Sequence, residues 1–439
     1  MKIAIIGIGH VGTAVAAKFA EVGHDVTGID IDSRKVESIN NGMNPLFGSE
    51  PRLPELLASV VKSGKLKATN DYSVCKTMDV IILAVETPFD TRRKRPLYFA
   101  LRSALESLSP FVQKGTLVIV ESTLAPTTSN TLIIPLLEAG SNLKAGIDFN
   151  YSHAPERVMP GRLLKNIETL DRVVGGVTPE CANRTKELYQ QITSGTVDTT
   201  TNIMAEMVKT TENAYRDVQI AFANEIALLA HSLDLDVFQL REYVNKVPGR
   251  NMLLPGAGVG GHCIPKDSWL LAYGTRGKYQ PRILSDARDI NDYMPHYVTD
   301  LCEESLSLVD KKLNKSKVTV LGVSFLENSG DIRNSPATTI LEDLEVFNSK
   351  IVLHDPYVTE FNGFKVEKDV YSAVKESDVI ILVTKHDEYF KIDFDKVKSL
   401  MNDSPILIDG RNVYKRDDLE AKGFIYQGVG KYKHNDKSE

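Results

Sequence analysis

The sequence is poor in cysteine and has no long apolar run, and both absences exclude classes of function. Its 439 residues include only four cysteines, with no Cys-x-x-Cys pair and no cluster of cysteine with histidine. This usage is typical of a reducing compartment and provides no pattern for a metal site. No stretch reaches the roughly 18 apolar residues of a membrane-spanning helix. We therefore expect a cytoplasmic protein without a metal ion or a membrane partner.

The chain also lacks a large net charge of either sign. Lysine and arginine number 52 against 58 aspartate and glutamate residues, for a formal net charge of −6. This small negative value argues against binding to nucleic acid or to an anionic membrane. The basic run Arg92–Arg95 is short and predicts a solvated loop. With 42% hydrophobic residues and this length, the chain should form a globular protein with more than one core.

The N-terminal region alternates between apolar strands and a helical pattern. Residues 2–6 form a β-branched strand, residues 13–22 a helix, and residues 25–30 a second buried strand that ends in an acid. Further strands are expected at residues 79–85 and 116–120. Strands that are apolar throughout predict a parallel sheet covered on both faces.

The same order of elements recurs near the other end of the chain. Residues 317–322 and 350–355 repeat the first two strands, and the predicted strand at 378–383 (Asp-Val-Ile-Ile-Leu-Val) nearly repeats residues 79–84 (Asp-Val-Ile-Ile-Leu-Ala). Residues 203–235 contain neither proline nor glycine and predict one helix of about 50 Å. The expected fold is therefore α/β, with two Rossmann-like doubly wound parallel-sheet domains joined by a long central helix. Such a helix is too long for one core and favours a homodimer.

A glycine-rich turn opens the chain. Gly7-Ile8-Gly9-His10-Val11-Gly12 has the GxGxxG spacing between strand and helix, and Asp30 stands at the end of the next strand. Such glycines allow a tight turn and let backbone N–H groups approach a pyrophosphate, while the acid accepts from ribose hydroxyls. The motif predicts dinucleotide binding rather than a tight turn without a ligand. The acid favours NAD over NADP, although Arg34 and Lys35 lie nearby.

A second glycine-rich segment, residues 256–267, presents a single thiol. Cys263 stands beside Lys266 and Asp267, and a cation can favour the reactive thiolate. On spacing alone, a loop whose cysteine is merely small and apolar remains an alternative.

Two further groups of polar residues are weaker indications of a site. Lys209, Asn213 and Arg216 are spaced i, i+4, i+7 and share one helix face, which could line an anionic cleft or simply be solvated. The loop of residues 153–161 places Glu156 and Arg157 between two prolines, an arrangement that can position side chains.

These pieces together resemble, over almost the full length, the UDP-glucose/GDP-mannose dehydrogenase superfamily. The matching segments occur in the family's order: Gly7 to Gly12, Asp30, Val85-Glu86-Thr87-Pro88, Glu121-Ser122-Thr123, Pro155-Glu156-Arg157, Lys209 with Asn213, Gly260-Gly261-His262-Cys263, Gly330-Asp331-Ile332-Arg333, and Ile408-Asp409-Gly410-Arg411. The resemblance implies an NAD-binding domain at residues 1–198, a central helical dimerisation and catalytic-loop domain at 199–312, and a UDP-sugar-binding domain at 313–439.

The resemblance also implies roles for individual residues. The expected catalytic residues are Cys263, Lys209, Glu156, Asn213 and Asp267. The expected cofactor-binding residues are Gly7, Gly9, His10, Val11, Gly12, Asp30, Lys35, Thr87, Thr123 and Arg333. The expected substrate-binding residues are Arg157, Val158, Lys209, Asn213, Arg216, Arg250, Gly261, Phe325 and Arg411, with Arg250 directed at a partner subunit.

Two segments of the sequence favour one type of UDP-sugar as substrate, whereas two other positions do not agree with that choice. Pro-Glu-Arg-Val after Ala154 and His262 before the cysteine are similar to the UDP-N-acetylhexosamine branch, particularly the N-acetylmannosamine enzymes. However, Leu326 stands where the family commonly has a lysine that touches substrate, and Lys266 is more usual in the glucose branch. UDP-glucose and UDP-N-acetylglucosamine therefore remain alternative substrates.

The expected reaction is oxidation of a sugar C6 alcohol to a carboxylate through two hydride transfers. Cys263 would hold the aldehyde as a thiohemiacetal and then a thioester, Lys209 would assist proton removal, and Glu156 or Asp267 would activate water. Two rivals belong to other classes. A single-step hydroxyacid dehydrogenase would need no cysteine, and a non-catalytic nucleotide-sugar sensor would account for Leu326.

Overall fold

The computed structural model describes residues 1–45, 50–159, 161–275 and 277–431. The chain divides into two compact units, Met1–Glu212 with Trp269–Gln280, and Asn213–Ser268 with the chain from Pro281 onward. The strands of the first unit are β1 (Lys2–Ile6), β2 (Asp25–Ile29), β3 (Leu66–Thr69), β4 (Val80–Leu83), β5 (Phe89–Asp90), β6 (Arg95–Pro96), β7 (Leu117–Val120), β8 (Asn150–His153), β9 (Arg172–Gly176) and β10 (Val197–Thr201). Those of the second are β11 (Lys317–Leu321), β12 (Lys350–His354), β13 (Glu360–Phe361), β14 (Phe364–Glu367), β15 (Val379–Leu382), β16 (Ile406–Asp409) and β17 (Ile425–Gly428).

Helices alternate with these strands in both units. They are α1 (His10–Glu21), α2 (Ser33–Asn40), α3 (Leu53–Lys62), α4 (Phe99–Leu108), α5 (Ile134–Ser141), α6 (Leu163–Thr169), α7 (Pro179–Tyr189), α8 (Asn202–Ser232), α9 (Val237–Asn245), α10 (Ile264–Gly274), α11 (Arg282–Ser307), α12 (Pro336–Val346), α13 (Val370–Val374), α14 (Phe394–Leu400) and α15 (Arg416–Ala421). None of the described helices is long and apolar enough to cross a membrane.

The first unit is built on an eight-stranded sheet of order β10-β9-β8-β7-β4-β1-β2-β3. Its strands are parallel from β8 to β3, whereas β9 runs antiparallel to β8, and β10 parallel to β9. From β1 the chain proceeds outward through β2 and β3 and then returns to β4 on the other side of β1. The carboxyl ends of β1 and β4 therefore flank a topological switch point, where open α/β sheets bind ligands.

The second unit repeats this plan in a seven-stranded sheet of order β13-β14-β12-β11-β15-β16-β17. All of its strands are parallel except β13, which pairs antiparallel with β14. The prediction of two doubly wound domains with a long central helix is confirmed. The predicted strands at 79–85 and 378–383 are one or two residues shorter at each end, as Val80–Leu83 and Val379–Leu382.

Alternation of side chains across the first strand explains why the sheet is covered on both sides. Ile3 and Ile5 of β1 pack into one hydrophobic core, and Ala4 and Ile6 pack into the core on the opposite face. The second sheet behaves alike, because Ile381 faces a different core from Ile380. Uninterrupted apolar strands are thus buried on both faces by helices.

The long helix α8 has 31 residues and begins and ends slightly earlier than the sequence predicts. The chain leaves the helical conformation before Leu235, and Asp234 has a left-handed φ of 53°. Tyr215, Phe222 and Leu229 follow one another at seven-residue intervals and are all more than half exposed. This spacing places them in one apolar stripe along the helix.

Candidate functional site

The turn after β1 is shaped by its glycines. Gly7 has a φ of +91°, and a Cβ there would stand 2.8 Å from the Ala84 carbonyl oxygen. A Cβ on Gly12 would come within 1.9 Å of the Gly7 oxygen. No atom lies within 4 Å of the corresponding position at Gly9, which precedes the first turn of α1. Packing therefore requires glycine at 7 and 12, whereas Gly9 leaves open space at the helix N-terminus.

Asp30 closes the same turn from the end of β2. Its buried carboxylate accepts hydrogen bonds from the backbone N–H of Ile8 (3.1 Å) and of Asp32 (2.9 Å). Lys35 Nζ lies 3.4 Å from it, while the exposed Arg34 pairs with Asp32 at 2.9 Å. A glycine cradle with a fixed acid at the strand end suits the pyrophosphate and unphosphorylated ribose of NAD.

Thr87 and Thr123, two of the residues predicted to bind the cofactor, are brought together. The buried Thr87 hydroxyl donates to the backbone oxygen of Thr123 at 2.9 Å. Ser122 Oγ similarly donates to the Val85 oxygen at 2.6 Å. These bonds join the segments that follow β4 and β7, so both threonines lie at the carboxyl edge of the first sheet.

The loop after β8 holds Glu156 in an ion pair. Glu156 Oε2 lies 2.6 Å from the Arg172 guanidinium, and Oε1 accepts from the backbone N–H of Arg157 at 2.7 Å. The Arg157 guanidinium forms an ion pair with Glu212 at 2.6 Å. Val158 packs against the core, and Pro160 lies outside the described residues.

Glu121 joins this cluster and was not singled out as a site residue from the sequence. Tyr189 donates its hydroxyl to Glu121 Oε1 at 2.5 Å. Burial and, to a smaller degree, the charge of Glu156 raise the pKa of Glu121 to about 8, against the opposing effects of Arg172 and the Tyr189 hydroxyl. The available signal was the position of Glu121 at the carboxyl end of a buried strand. Its partners are distant in sequence and no spacing rule relates them.

The three polar residues predicted to share one face of α8 differ in their exposure to solvent. Lys209 and Asn213 are half-buried, whereas Arg216 is exposed. Asn213 Nδ2 donates a 2.6 Å hydrogen bond to Oδ2 of Asp267, which is fully buried. The structure thus brings the amide and the carboxylate of the predicted catalytic set together.

Cys263 is an exposed thiol at the start of α10. Its backbone oxygen accepts from the N–H groups of Lys266 (3.1 Å) and Asp267 (2.9 Å), so it caps the helix N-terminus. The positive end of a helix dipole favours an anion at this position. Lys266 is buried, with Nζ 3.9 Å from Asp267 Oδ1. Burial, aided by Lys266 and Arg333, lowers the pKa of the adjacent His262 to about 4, so His262 is neutral at pH 7.

The glycines before the thiol dock onto the segment after β11. Gly261 has a φ of +88°, and a Cβ there would stand 2.7 Å from Phe325 Cε2. The Gly261 N–H donates to the Arg333 oxygen at 2.9 Å, and Asn334 Nδ2 donates to the Gly261 oxygen at 3.0 Å. Phe325 therefore packs on the glycine backbone, while Leu326 is 39% exposed.

A buried polar network that the sequence did not reveal supports the start of this loop. Asp217 on α8 accepts from Arg288 at 2.6 Å and from Asn291 Nδ2 at 2.7 Å. Asn291 Oδ1 in turn accepts from Asn224 Nδ2 at 2.8 Å, and Asn224 Oδ1 accepts from the Gly256 N–H at 3.0 Å. These hydrogen bonds tie α8 and α11 to the start of the loop, while the buried Nε of Arg288 has no hydrogen-bond partner among the described residues.

The three arginines predicted to bind ligands from the second unit are accessible to different degrees. Arg333 is half exposed and pairs with Asp331 at 2.5 Å. Arg411 lies 3.5 Å from Glu327, and its backbone N–H donates to Asp409. Arg250 is exposed. Within the described ranges, no group of three or more His, Cys, Asp and Glu residues could hold a metal ion.

Comparison with known proteins decides the family. Three models of the UDP-glucose/GDP-mannose dehydrogenase family match this chain: the NAD binding domain at residues 1–193, the central domain at 204–293 and the UDP binding domain at 319–416. The chain belongs to the UDP-glucose/GDP-mannose dehydrogenase family. The predictions of an NAD-dependent UDP-sugar dehydrogenase and of NAD as cofactor are thereby confirmed.

Individual relatives of the family cover nearly the whole chain. The UDP-N-acetyl-D-mannosamine dehydrogenase of Pyrococcus horikoshii is 36% identical over 98% of this chain and 99% of its own. A solved structure of that activity from P. horikoshii has a TM-score of 0.91 at the same coverage. An NDP-N-acetyl-D-galactosaminuronic acid dehydrogenase from Methanosarcina mazei is 36% identical, with a TM-score of 0.92 over 100% of this chain and 97% of its own.

Proposed function

We propose that the chain oxidises the C6 alcohol of UDP-N-acetyl-D-mannosamine to the carboxylate, in a four-electron reaction that passes through a covalent intermediate on Cys263. The observation that carries this proposal is the placement of Cys263 at the N-terminus of α10, one turn before the buried Asp267 that Asn213 holds at 2.6 Å. An exposed thiol at the positive end of a helix, beside fixed polar groups, is an arrangement that suits nucleophilic catalysis.

The second oxidation requires a covalent intermediate, which forms before the second hydride is lost. NAD⁺ supplies the acceptor for one hydride in each of the two oxidations. In the first, Lys209 assists removal of the hydroxyl proton and stabilises the negative charge that develops on oxygen. The Cys263 thiolate then adds to the aldehyde carbon and forms a thiohemiacetal. Loss of a second hydride leaves a thioester, and water releases the carboxylate and the thiol.

Two carboxylates are candidates to activate that water. Glu156 lies at the carboxyl edge of the first sheet, and its carboxylate is 2.6 Å from the Arg172 guanidinium. Asp267 lies in the first turn of α10, four residues after Cys263. We assign Gly7, Gly9, His10, Val11, Gly12, Asp30, Lys35, Thr87, Thr123 and Arg333 to the cofactor. We assign Arg157, Val158, Lys209, Asn213, Arg216, Arg250, Gly261, Phe325 and Arg411 to the nucleotide sugar. For Arg157 this assignment requires release from Glu212.

The choice of sugar rests on sequence likeness and on the relative from P. horikoshii. The relative from M. mazei is named for a galactosaminuronic acid, and Leu326 replaces a lysine that commonly contacts substrate in the family. UDP derivatives of related sugars are therefore the main alternative substrates. A panel of UDP-sugars assayed for NADH formation tests the proposal. UDP-N-acetylmannosamine should have a higher kcat/KM than UDP-glucose and UDP-N-acetylglucosamine. A higher value for UDP-glucose would show that the proposed branch is wrong.

The rival classes predict different products. A single-step hydroxyacid dehydrogenase would form one NADH per substrate and tolerate loss of Cys263. A nucleotide-sugar sensor would bind UDP-sugar and NAD without forming NADH. The presence of both Lys209 and a helix-capping Cys263 favours catalysis over either rival.

We further propose that the protein is a cytoplasmic homodimer joined through α8. The exposed stripe of Tyr215, Phe222 and Leu229 is the surface that a second copy of the helix would cover. The domain ranges 1–198, 199–312 and 313–439 likewise remain a proposal for how NAD binding, dimerisation and UDP-sugar binding are divided.

A further inference from the structure

The second unit carries an acid at the place in its sheet that Asp30 occupies in the first. Asp355 directly follows β12, as Asp30 follows β2, and it accepts from the backbone N–H groups of Val323 and Tyr357, each at 2.8 Å. Unlike Asp30, its carboxylate also lies 3.2 Å from Nε2 of a histidine, His386, and both side chains are fully buried. The acid of the second unit therefore holds an imidazole.

The hydrogen bonds of His386 determine which ring nitrogen carries the proton. Nδ1 accepts a 2.9 Å hydrogen bond from the backbone N–H of Asn328, so the proton lies on Nε2, which donates to Asp355. The rings of Tyr357 and Tyr389 lie on the imidazole, with centroids 5.1 and 5.5 Å from its own. The ring is thus fixed in one orientation, with Nδ1 directed at the loop after β11.

That loop is joined to the residues after β15 at both ends of the segment 324–328. At one end, Ser324 Oγ lies 3.2 Å from His386 Nε2, and Thr384 donates its hydroxyl to the Ser324 oxygen. At the other end, the Asp387 N–H donates to the Asn328 side chain at 3.0 Å, beside the bond from Asn328 to His386. The position of segment 324–328 therefore depends on the residues around His386.

Between its ends the segment touches two parts of the expected UDP-sugar site. Phe325 packs on the backbone of Gly261, where an added Cβ would stand 2.7 Å from Phe325 Cε2, and Gly261 precedes Cys263 by two residues. Glu327 lies 3.5 Å from the Arg411 guanidinium. A shift of the segment would therefore move the surface that supports the cysteine loop and also the carboxylate that faces Arg411.

We propose that His386 is a positioning residue for the UDP-sugar site, which through Nδ1 holds Asn328 and thereby keeps Phe325 against the glycines before Cys263. This inference rests on the proposed function. Asp355 serves the same purpose by orienting the imidazole. Hydrogen bonds from His386 and from backbone N–H groups hold the pKa of Asp355 below its usual value, although burial acts to raise it, so the acid is a carboxylate at neutral pH.

Two amide substitutions separate the roles of the two ring nitrogens. In His386→Asn the amide oxygen can take the place of Nδ1 and still accept from Asn328, whereas the contact with Asp355 is lost. In His386→Gln the amide nitrogen can take the place of Nε2 and still donate to Asp355, whereas the Asn328 N–H loses its acceptor. Each variant gives up a buried hydrogen bond, so both should melt at a lower temperature. Only His386→Gln should release the segment.

Two measurements that require no turnover report the position of the segment. One is the Kd for UDP, from calorimetry, and the other is the rate at which iodoacetamide alkylates Cys263, from intact mass. Cys263 is exposed, whereas the other three cysteines are buried. In His386→Gln the Kd should rise at least about fivefold, the scale of one lost hydrogen bond. The alkylation rate should change by a similar factor.

The matched controls are His386→Asn and His354→Asn. His354 is a buried histidine at the end of β12, and its Nδ1 lies 3.1 Å from the Tyr389 hydroxyl. Both controls should lose stability, yet their UDP affinity and alkylation rate should stay within about twofold of the parent, because the bond from Asn328 to residue 386 is kept. A merely structural role for His386 would instead make the losses follow the melting temperature.

Nitrogen-15 NMR of the histidine rings tests the geometry in the parent protein. The signals that disappear in His386→Asn should show the proton on Nε2, and a proton on Nδ1 would overturn the proposal. Equal UDP affinities and equal alkylation rates in His386→Gln and His386→Asn would also overturn it. Failure of the proposed function would appear differently, as the absence of NADH formation from any UDP-sugar by the parent, with the difference between the two variants unchanged.

Discussion

Asn213 Nδ2 donates a 2.6 Å hydrogen bond to Oδ2 of the fully buried Asp267, and this contact joins α8 to the first turn of α10. The Asp267 N–H in turn donates to the backbone oxygen of Cys263 at 2.9 Å. The backbone of Cys263 is therefore coupled, through Asp267, to an amide on the long helix. Constraints of this kind hold a reacting group in its productive geometry.

Asn213→Ala should weaken both the fold and the reaction. Removing a donor to a buried charged acceptor costs about 1–3 kcal/mol of unfolding free energy. We expect kcat to fall at least about tenfold, because a small misplacement of a reacting group is costly, while NAD affinity should stay unchanged. Urea unfolding, initial rates and NAD titration measure the three quantities. Glu225→Gln, exposed on the same helix, is the matched control and should change none of them.

Alanine substitutions at two glycines of the motif after β1 should affect different properties, NAD binding at one position and folding stability at the other. Gly9→Ala should leave the melting temperature unchanged, since its Cβ meets nothing within 4 Å, but should weaken NAD binding at least about tenfold by occupying the space before α1. Gly12→Ala should destabilise the fold, because its Cβ would clash with the Gly7 oxygen. Equal melting temperatures for these two variants, or normal NAD binding by Gly9→Ala, would contradict this reading.

Gly261→Ala should reveal how tightly the cysteine loop packs on Phe325. Gly249→Ala is a matched control, because Gly249 also has a positive φ (78°) but has nothing within 4 Å of its Cβ position. Both substitutions should lower the unfolding free energy by about 1 kcal/mol, because alanine disfavours a positive φ. Only Gly261→Ala should lose a further 1–3 kcal/mol, roughly the cost of overpacking. Urea unfolding checks the difference, and adding Phe325→Ala to Gly261→Ala should relieve the excess.

The architecture could be predicted because its determinants are local. Strands such as Val80–Leu83 and Val379–Leu382 are apolar on both faces, which requires helices on both sides of a parallel sheet. The glycine turn and Asp30 lie within one βαβ unit, so their association follows from the order of elements.

Side-chain pairings across the sheet could not be predicted in the same way. Glu121 meets Tyr189, 68 residues away, only because β7 and α7 pack together in three dimensions. The ion pair between Arg157 and Glu212, 55 residues apart, could not be predicted from the sequence either. Lys94, within a basic run predicted to be solvated, lies 3.7 Å from the ring centre of Trp269, so the aromatic partner was also missed.

Cys263→Ser tests the nucleophile with little change in size. Serine exchanges a thiolate, which leaves readily, for a poor alkoxide leaving group, so steady-state turnover should fall at least about a hundredfold. Either an oxygen ester should accumulate on the serine or the first adduct should fail to form, and intact mass distinguishes the two. NAD affinity should survive because Asp30 is untouched. A loss of rate explained entirely by weaker NAD binding would instead make the role of Cys263 structural.

The ratio of NADH formed to UDP-sugar consumed distinguishes an aldehyde retained on Cys263 from one that is released after the first oxidation. Retention of the aldehyde on Cys263 requires that both oxidations finish before release. NADH absorbance and chromatography of the sugar nucleotides, measured on the same reaction, give the ratio. We expect two NADH and one uronate for each UDP-sugar, with no aldehyde free in solution. One NADH per sugar, or an aldehyde that accumulates as the end product, would contradict it.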